Sequence, residues 1–126
     1  MTADKLHILV VDDEAIVGKR LKPALEREGY EIETFERGAD AVARIDEVEF
    51  DLVVTDIRMD EVDGLQVLDH ALARSPRTKV IIISGYATLE LAREALAKGA
   101  FDFVAKPFKP EELREAIRRA AAALKE

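Results

Sequence analysis

The chain has 126 residues, 48% hydrophobic and 36% charged, which suits one globular domain that buries roughly two-thirds of its unfolded surface. A net charge of −7, from 19 Lys and Arg against 26 Asp and Glu, argues against a large phosphate-backbone footprint, so no direct nucleic-acid contact is expected of this chain. The absence of cysteine excludes disulfides, thiolate nucleophiles and Cys-ligated metals, and no apolar run approaches the ~18 residues of a membrane span, so a cytoplasmic protein without membrane contact is expected.

In chain order, the first strand is predicted at His7–Val11, running into Asp12-Asp13. A helix follows over about Ala15–Glu28 and contains Pro23, which removes the hydrogen bond to the Lys19 carbonyl. Relative to Val17, Leu21 and Ala24 that proline projects to solvent, so a kinked but continuous helix is predicted. The second strand, Glu31–Phe35, alternates Glu31, Ile32, Glu33 and reads as an edge strand. A helix is expected at Ala39–Glu47, then a third strand, Leu52–Thr55, running into Asp56. Next come a helix at Leu65–Arg74 and a fourth strand, Lys79–Ile83, running into Ser84-Gly85. In the fourth helix, Leu89–Lys98, the stripe of Leu89, Ala92 and Leu96 is assigned to the core, and Leu91 points away from it, either as an outward apolar contact or as an ordinary isolated exposed leucine. The fifth strand, Phe103–Ala105, runs into Lys106-Pro107. The last helix, Glu111–Leu124, carries Leu113, Ala116, Ile117, Ala120 and Leu124 on one stripe, with Pro110 in its first turn. Gly29, Gly38, Gly64 and Gly99 fall at helix boundaries, where tight or left-handed backbone is needed.

Five strand–helix alternations predict a three-layer α/β sandwich. Strands one, three and four are continuous apolar runs, as expected of parallel strands covered on both faces. Their carboxyl ends then share one edge, where open α/β sheets hold ligands. That edge gathers Asp12, Asp13, Asp56, Ser84 and Lys106. Singly, each of these residues reads as a cap, a turn or a solvated loop residue; together, in strand order, they nominate a site. Carboxylates suit Mg²⁺, which takes one or two of them beside a phosphate oxygen. A carboxylate can also be a phosphoryl nucleophile, with Lys106 and the Ser84 hydroxyl serving phosphoryl oxygens. His7 and His70 have no partner His or Cys and read as surface or boundary residues.

The segments ILVVDDE, DLVVTDIRM followed by DGL, VIIISGYA and KGAFDFVAKPF, in this order and spacing, resemble the receiver domain of bacterial two-component response regulators over essentially all of 1–126. The stretch SGYATLELAREALAKGAFDFVAKPF is most similar to receivers of the nitrogen-regulator type, which precede ATPase and DNA-binding domains. The resemblance implies a flavodoxin-like doubly wound (βα)5 fold with a parallel sheet in order 2-1-3-4-5. It implies Asp56 as phosphoacceptor from a sensor histidine kinase or phosphotransfer protein. Asp12, Asp13, Asp56 and the Arg58 backbone carbonyl would organise Mg²⁺, and Lys106 and Ser84 would engage the phosphoryl group. Ser84 and Phe103 would form the switch, Pro107 would follow a cis bond, and Arg58 and Tyr86 would set the phosphoryl lifetime. The output face would be the fourth helix, fifth strand and fifth helix, with a homodimer possible there. Asp60, where the family usually has Pro, departs from the pattern and, with Glu61 and Asp63, makes that loop strongly negative. Two other functions compete. A small aspartyl-phosphate phosphohydrolase of the haloacid-dehalogenase type would space its two Asp one residue apart after a single strand. A phosphorylation-independent interaction module usually lacks one or more of Asp13, Asp56 and Lys106, all of which are present. The chain reads equally as a standalone regulator or as one domain of a larger protein.

Overall fold

The computed structural model describes residues 5–59, 61–85 and 88–125. β1 (His7–Val11), α1 (Ala15–Arg27), β2 (Glu31–Phe35), α2 (Gly38–Glu47), β3 (Leu52–Asp56), α3 (Gly64–Arg74), β4 (Lys79–Ser84), α4 (Leu89–Ala97), β5 (Asp102–Ala105) and α5 (Pro110–Leu124) alternate without interruption. The strands form one parallel sheet in the order β2-β1-β3-β4-β5. This is the flavodoxin-like doubly wound arrangement expected from the motifs.

The three inner strands are apolar throughout Ile8–Val11, Leu52–Val54 and Val80–Ile83 because both of their faces are covered. Leu9 and Val11 of β1, Val53 of β3, and Val80 and Ile82 of β4 turn to one core, closed by Ala41 and Ile45 of α2, Val67, Leu68 and Ala71 of α3, and Ala95 of α4. The intervening residues, Ile8, Val10, Leu52, Val54, Ile81 and Ile83, turn to the other core, closed by Leu21 and Leu25 of α1 and by Leu113, Ala116, Ile117 and Ala120 of α5. β2 lies at the edge, with Glu31 and Thr34 exposed, as its alternation predicts.

Two strands run one residue further than expected. Asp56 still pairs with Ile83, and Ser84 with Ala105, so both belong to the ladder rather than to the loops after it. Polar side chains at these positions hid the continuing backbone pairing. α1 runs continuously through Pro23, which is exposed.

The face of α4 is a correction. Leu89 and Leu96, assigned to the core, are 65% and 49% exposed. Ala95 is fully buried and Leu91, assigned outward, is half-buried against the α2–α4 core. α4 carries two interleaved apolar stripes, and the richer in Leu is not the one that packs. Thr88 caps Leu91 N–H at 3.1 Å, and Gly99, at φ 109°, turns the chain out of the helix so that Ala100 is buried. These two ends set the helix phase, and the small Ala95 side chain suits a close approach to the sheet.

On the α2 side of the edge strand, Glu33 receives a fork from Arg44, with Nε to Oε1 at 2.8 Å and Nη2 to Oε2 at 3.1 Å. His7 Nε2 lies 2.8 Å from the same Oε2, and its ring rests 4.4 Å from that of Phe50. The Arg44 hydrogen bonds, outweighing the opposing effect of burial and joined by His7, hold the Glu33 carboxyl below its ordinary 4.5. A carboxylate with a depressed folded pKa stabilises the fold above its unfolded pKa and loses that contribution as pH falls through the folded value. Glu33→Gln is therefore expected to cost about 1 kcal/mol at pH 7, the upper end for a pair at the surface. In urea melts the difference from wild type should shrink progressively as pH falls below 4.5.

Candidate functional site

The carboxyl edge of the sheet brings the residues together. Asp12 directly follows β1 and is 2% exposed; its N–H donates to the Phe35 carbonyl at 3.1 Å. Its Oδ1 accepts the Glu14 N–H at 2.8 Å, which fixes the turn into α1. Asp13 faces solvent. Asp56 ends β3 at 6% exposure, and its Oδ1 accepts the Ile57 N–H at 2.7 Å. Gly64 opens α3 against the same strand end, where any Cβ would collide with the Asp56 carbonyl oxygen. Gly64 is thus needed for space, unlike Gly29 at φ 95°.

Lys106 reaches the cluster from the opposite side. Its N–H donates to the Ser84 carbonyl at 2.8 Å, and the peptide to Pro107 is cis. Its Nζ lies 2.7 Å from Asp12 Oδ2, 3.0 Å from Glu14 Oε1 and 3.1 Å from Asp56 Oδ2. The Asp12 contact is close but not aligned, so this buried Oδ2 has no hydrogen-bond donor among the described residues. Carboxylate oxygens of Asp12, Asp13 and Asp56 lie within 4.8 Å of one another. Three hard oxygen donors, one of them buried and without a donor, fit a divalent cation such as Mg²⁺.

The electrostatics follow from this crowding. Burial first, then the Asp56 charge, raises the Asp12 pKa above its ordinary value, against the pull of Lys106 and the Glu14 N–H. Desolvation and the neighbouring Asp12 raise that of Asp13. Burial disfavours the Lys106 charge, but the surrounding carboxylates of Asp12, Glu14 and Asp56 outweigh it and hold the ammonium above the ordinary lysine value.

The remaining expected residues sit around this centre. Ser84 is fully buried at the end of β4, and Arg58 is exposed two residues beyond Asp56. Phe103 pairs with Ile82 and packs half-buried against the α2–α4 core, away from the carboxylates. Tyr86 and Asp60 lie outside the described residues. Sequence reasoning missed Glu14, which completes the set around Lys106. Its only signal was being the third acid of the run after β1.

A doubly wound parallel sheet in this strand order, with an acidic cluster and a lysine at its carboxyl edge, defines a flavodoxin-like fold with a candidate cation site. The response regulator receiver domain family matches residues 8–118, and the chain belongs to it, as the receiver domain of a two-component response regulator. The chain is 41% identical over 114 residues to regulatory protein AtoC of Escherichia coli strain K12, covering 90% of this chain and 25% of that protein. It is 37% identical over 117 residues to chemotaxis protein CheY of Listeria monocytogenes, covering 92% of this chain and 98% of that protein. A receiver domain protein (CheY-like) from Methanospirillum hungatei superposes with a TM-score of 0.91 at 32% identity, covering 97% of this chain and 98% of the other. The chain thus spans 25% of AtoC and 29% of the Salmonella typhimurium transcriptional regulator ZraR, but nearly all of CheY.

Gly64→Ala should destabilise the domain by about 1–3 kcal/mol, as overpacking against backbone does. Urea denaturation measures the loss. Gly29→Ala, with open space around it, should show only the smaller penalty of its left-handed backbone.

Proposed function

We propose that this chain, taken whole as one receiver domain, is a phosphorylation switch whose acceptor is Asp56. The observation that carries the reading is the Asp56 carboxylate at the end of β3, 3.1 Å from the Lys106 ammonium and beside Asp12 and Asp13. A carboxylate oxygen of Asp56 attacks the phosphorus of a phosphohistidine on a sensor kinase or phosphotransfer protein. The N–P bond breaks, the leaving imidazole nitrogen takes up a proton, and Asp56 becomes an acyl phosphate. Lys106 then pairs with a phosphoryl oxygen and Ser84 offers its hydroxyl. Water attack reverses the state, returning the carboxylate and inorganic phosphate. The domain catalyses both steps on itself and turns over no external substrate.

Asp12, Asp13 and Asp56, with the Arg58 backbone carbonyl, would hold Mg²⁺, which when bound neutralises charge on the transferring group. A groove of about 400 Å³ between α1 and the loop before α5 supports approach of the donor protein. It opens beside Lys106 and is lined by Ile16, Leu21, Pro107 and Phe108, with Ile16 53% exposed. Output, and any homodimer, belongs to the α4–β5–α5 face, with Ser84 and Phe103 as the moving parts. The apolar residues offered there are Leu89 and Leu96 rather than Leu91. Arg58 and Tyr86 are assigned to phosphoryl lifetime, and a half-life unchanged by Arg58→Ala and Tyr86→Ala would remove that assignment.

Intact-mass analysis after acetyl phosphate treatment with Mg²⁺ should show one added phosphoryl group, abolished by EDTA and by Asp56→Asn. No adduct from any donor, histidine kinases included, would refute the switch. Mg²⁺ at ten times its dissociation constant should also stabilise the fold by roughly 1.4 kcal/mol, an effect that Asp13→Asn should largely remove. Thermal melts with and without the cation check this.

A further inference from the structure

Glu14 stands outside the carboxylate cluster yet holds the same ammonium. It occupies the N-cap position of α1 in extended backbone, but its side chain caps no helical N–H. The short Asp, Asn, Ser and Thr side chains are the ones that turn back to the first-turn amides, and the longer Glu14 side chain does not. Here Oε1 instead reaches 3.0 Å to Lys106 Nζ, a residue 92 positions away. Its side chain is 63% exposed, against 1% for Asp12 and 8% for Asp56.

An ammonium has three N–H donors. Three carboxylate oxygens already lie 2.7–3.1 Å from Lys106 Nζ, those of Glu14 and Asp56 accepting hydrogen bonds and that of Asp12 in ionic contact, so a phosphoryl oxygen gains a place at the ammonium only when one of them withdraws. Asp56 carries the incoming group and stays in place. Asp12 is buried and pinned by the Glu14 N–H. Glu14 alone can swing into water at little desolvation cost.

We propose that Glu14 is a positioning residue that acts through Lys106: it occupies one donor of the ammonium in the unphosphorylated protein and yields it when a phosphoryl group reaches Asp56. The assignment rests on Asp56 being the phosphoacceptor. A contact made in the ground state and lost in the transition state raises the barrier, so Glu14 slows phosphorylation and favours the resting state.

The test is the rate of labelling by acetyl phosphate with Mg²⁺, followed by intact mass over a range of donor concentrations. Glu14→Gln and Glu14→Asp are each made in the wild-type and Lys106→Met backgrounds. Glu14→Gln should raise the maximal rate roughly two- to five-fold, the span an exposed ion pair supports. Glu14→Asp, which keeps the charge on a shorter arm, should fall between it and wild type. In the Lys106→Met background Glu14→Gln should change nothing. A wild-type maximal rate for Glu14→Gln overturns the proposal. So does a gain that persists without Lys106, or one confined to the half-saturating donor concentration, since either marks simple repulsion of an anionic donor. Wild-type protein that accepts no phosphoryl group from any donor removes the Asp56 reading itself, and this role falls with it.

Discussion

The Lys106 ammonium allows two buried carboxylates to lie side by side at the ends of β1 and β3. Two like charges ~4 Å apart repel by about 4 kcal/mol at an effective dielectric of 20, a large fraction of the stability of a small domain. The lysine offsets that repulsion from the far side of the cluster, and the acids in turn keep it charged despite its burial. The balance is incomplete: burial still leaves Asp12 with a raised pKa and an oxygen that, beyond its ionic contact with Lys106, accepts no aligned hydrogen bond among the described residues. A site that holds residual negative charge in this way is poised for a cation.

The sheet makes this arrangement reproducible. Parallel pairing brings β1, β3 and β4 to a common carboxyl edge, and the ladder continues into Asp56 and Ser84 themselves. Two strand ends are therefore fixed by backbone hydrogen bonds rather than by flexible loops. Gly64 lets α3 begin directly against the Asp56 carbonyl, and the Lys106 N–H is tied to Ser84. The Asp56 carboxylate is thus held by rigid elements on three sides, while Asp13 and Glu14 lie on the solvent side.

Much of this was legible in the sequence because a buried parallel strand leaves an unambiguous signature. ILVV, LVV and VIII are apolar at every position, and each stops at a polar residue that falls on the same edge. The gathering of Asp12, Asp56, Ser84 and Lys106 at one edge was readable for the same reason, since strand order brings them together. Periodicity failed at α4, where two stripes compete and the phase is set by Thr88 and Gly99 rather than by apolar content. It also could not reveal Glu14 on Lys106, because a contact between side chains 92 residues apart depends on rotamers and loop geometry that no local pattern encodes.

α4 buries a single residue completely, Ala95, whereas α5 buries Leu113, Ala116, Ile117, Ala120 and Ala121. A fully buried Leu or Ile contributes on the order of 1.5–3 kcal/mol and a single buried methyl group about 0.8, so the two helices are anchored to the same sheet with very different strength. Moving a switch element requires a trigger whose energy difference between two states matches what holds that element, commonly a few kcal/mol. A helix anchored like α5 would demand more than a few charge-assisted hydrogen bonds can supply. If α4 carries output as proposed, its sparse footing would bring its displacement within that range, and the poor packing of one helix would let a change at a single side chain be read.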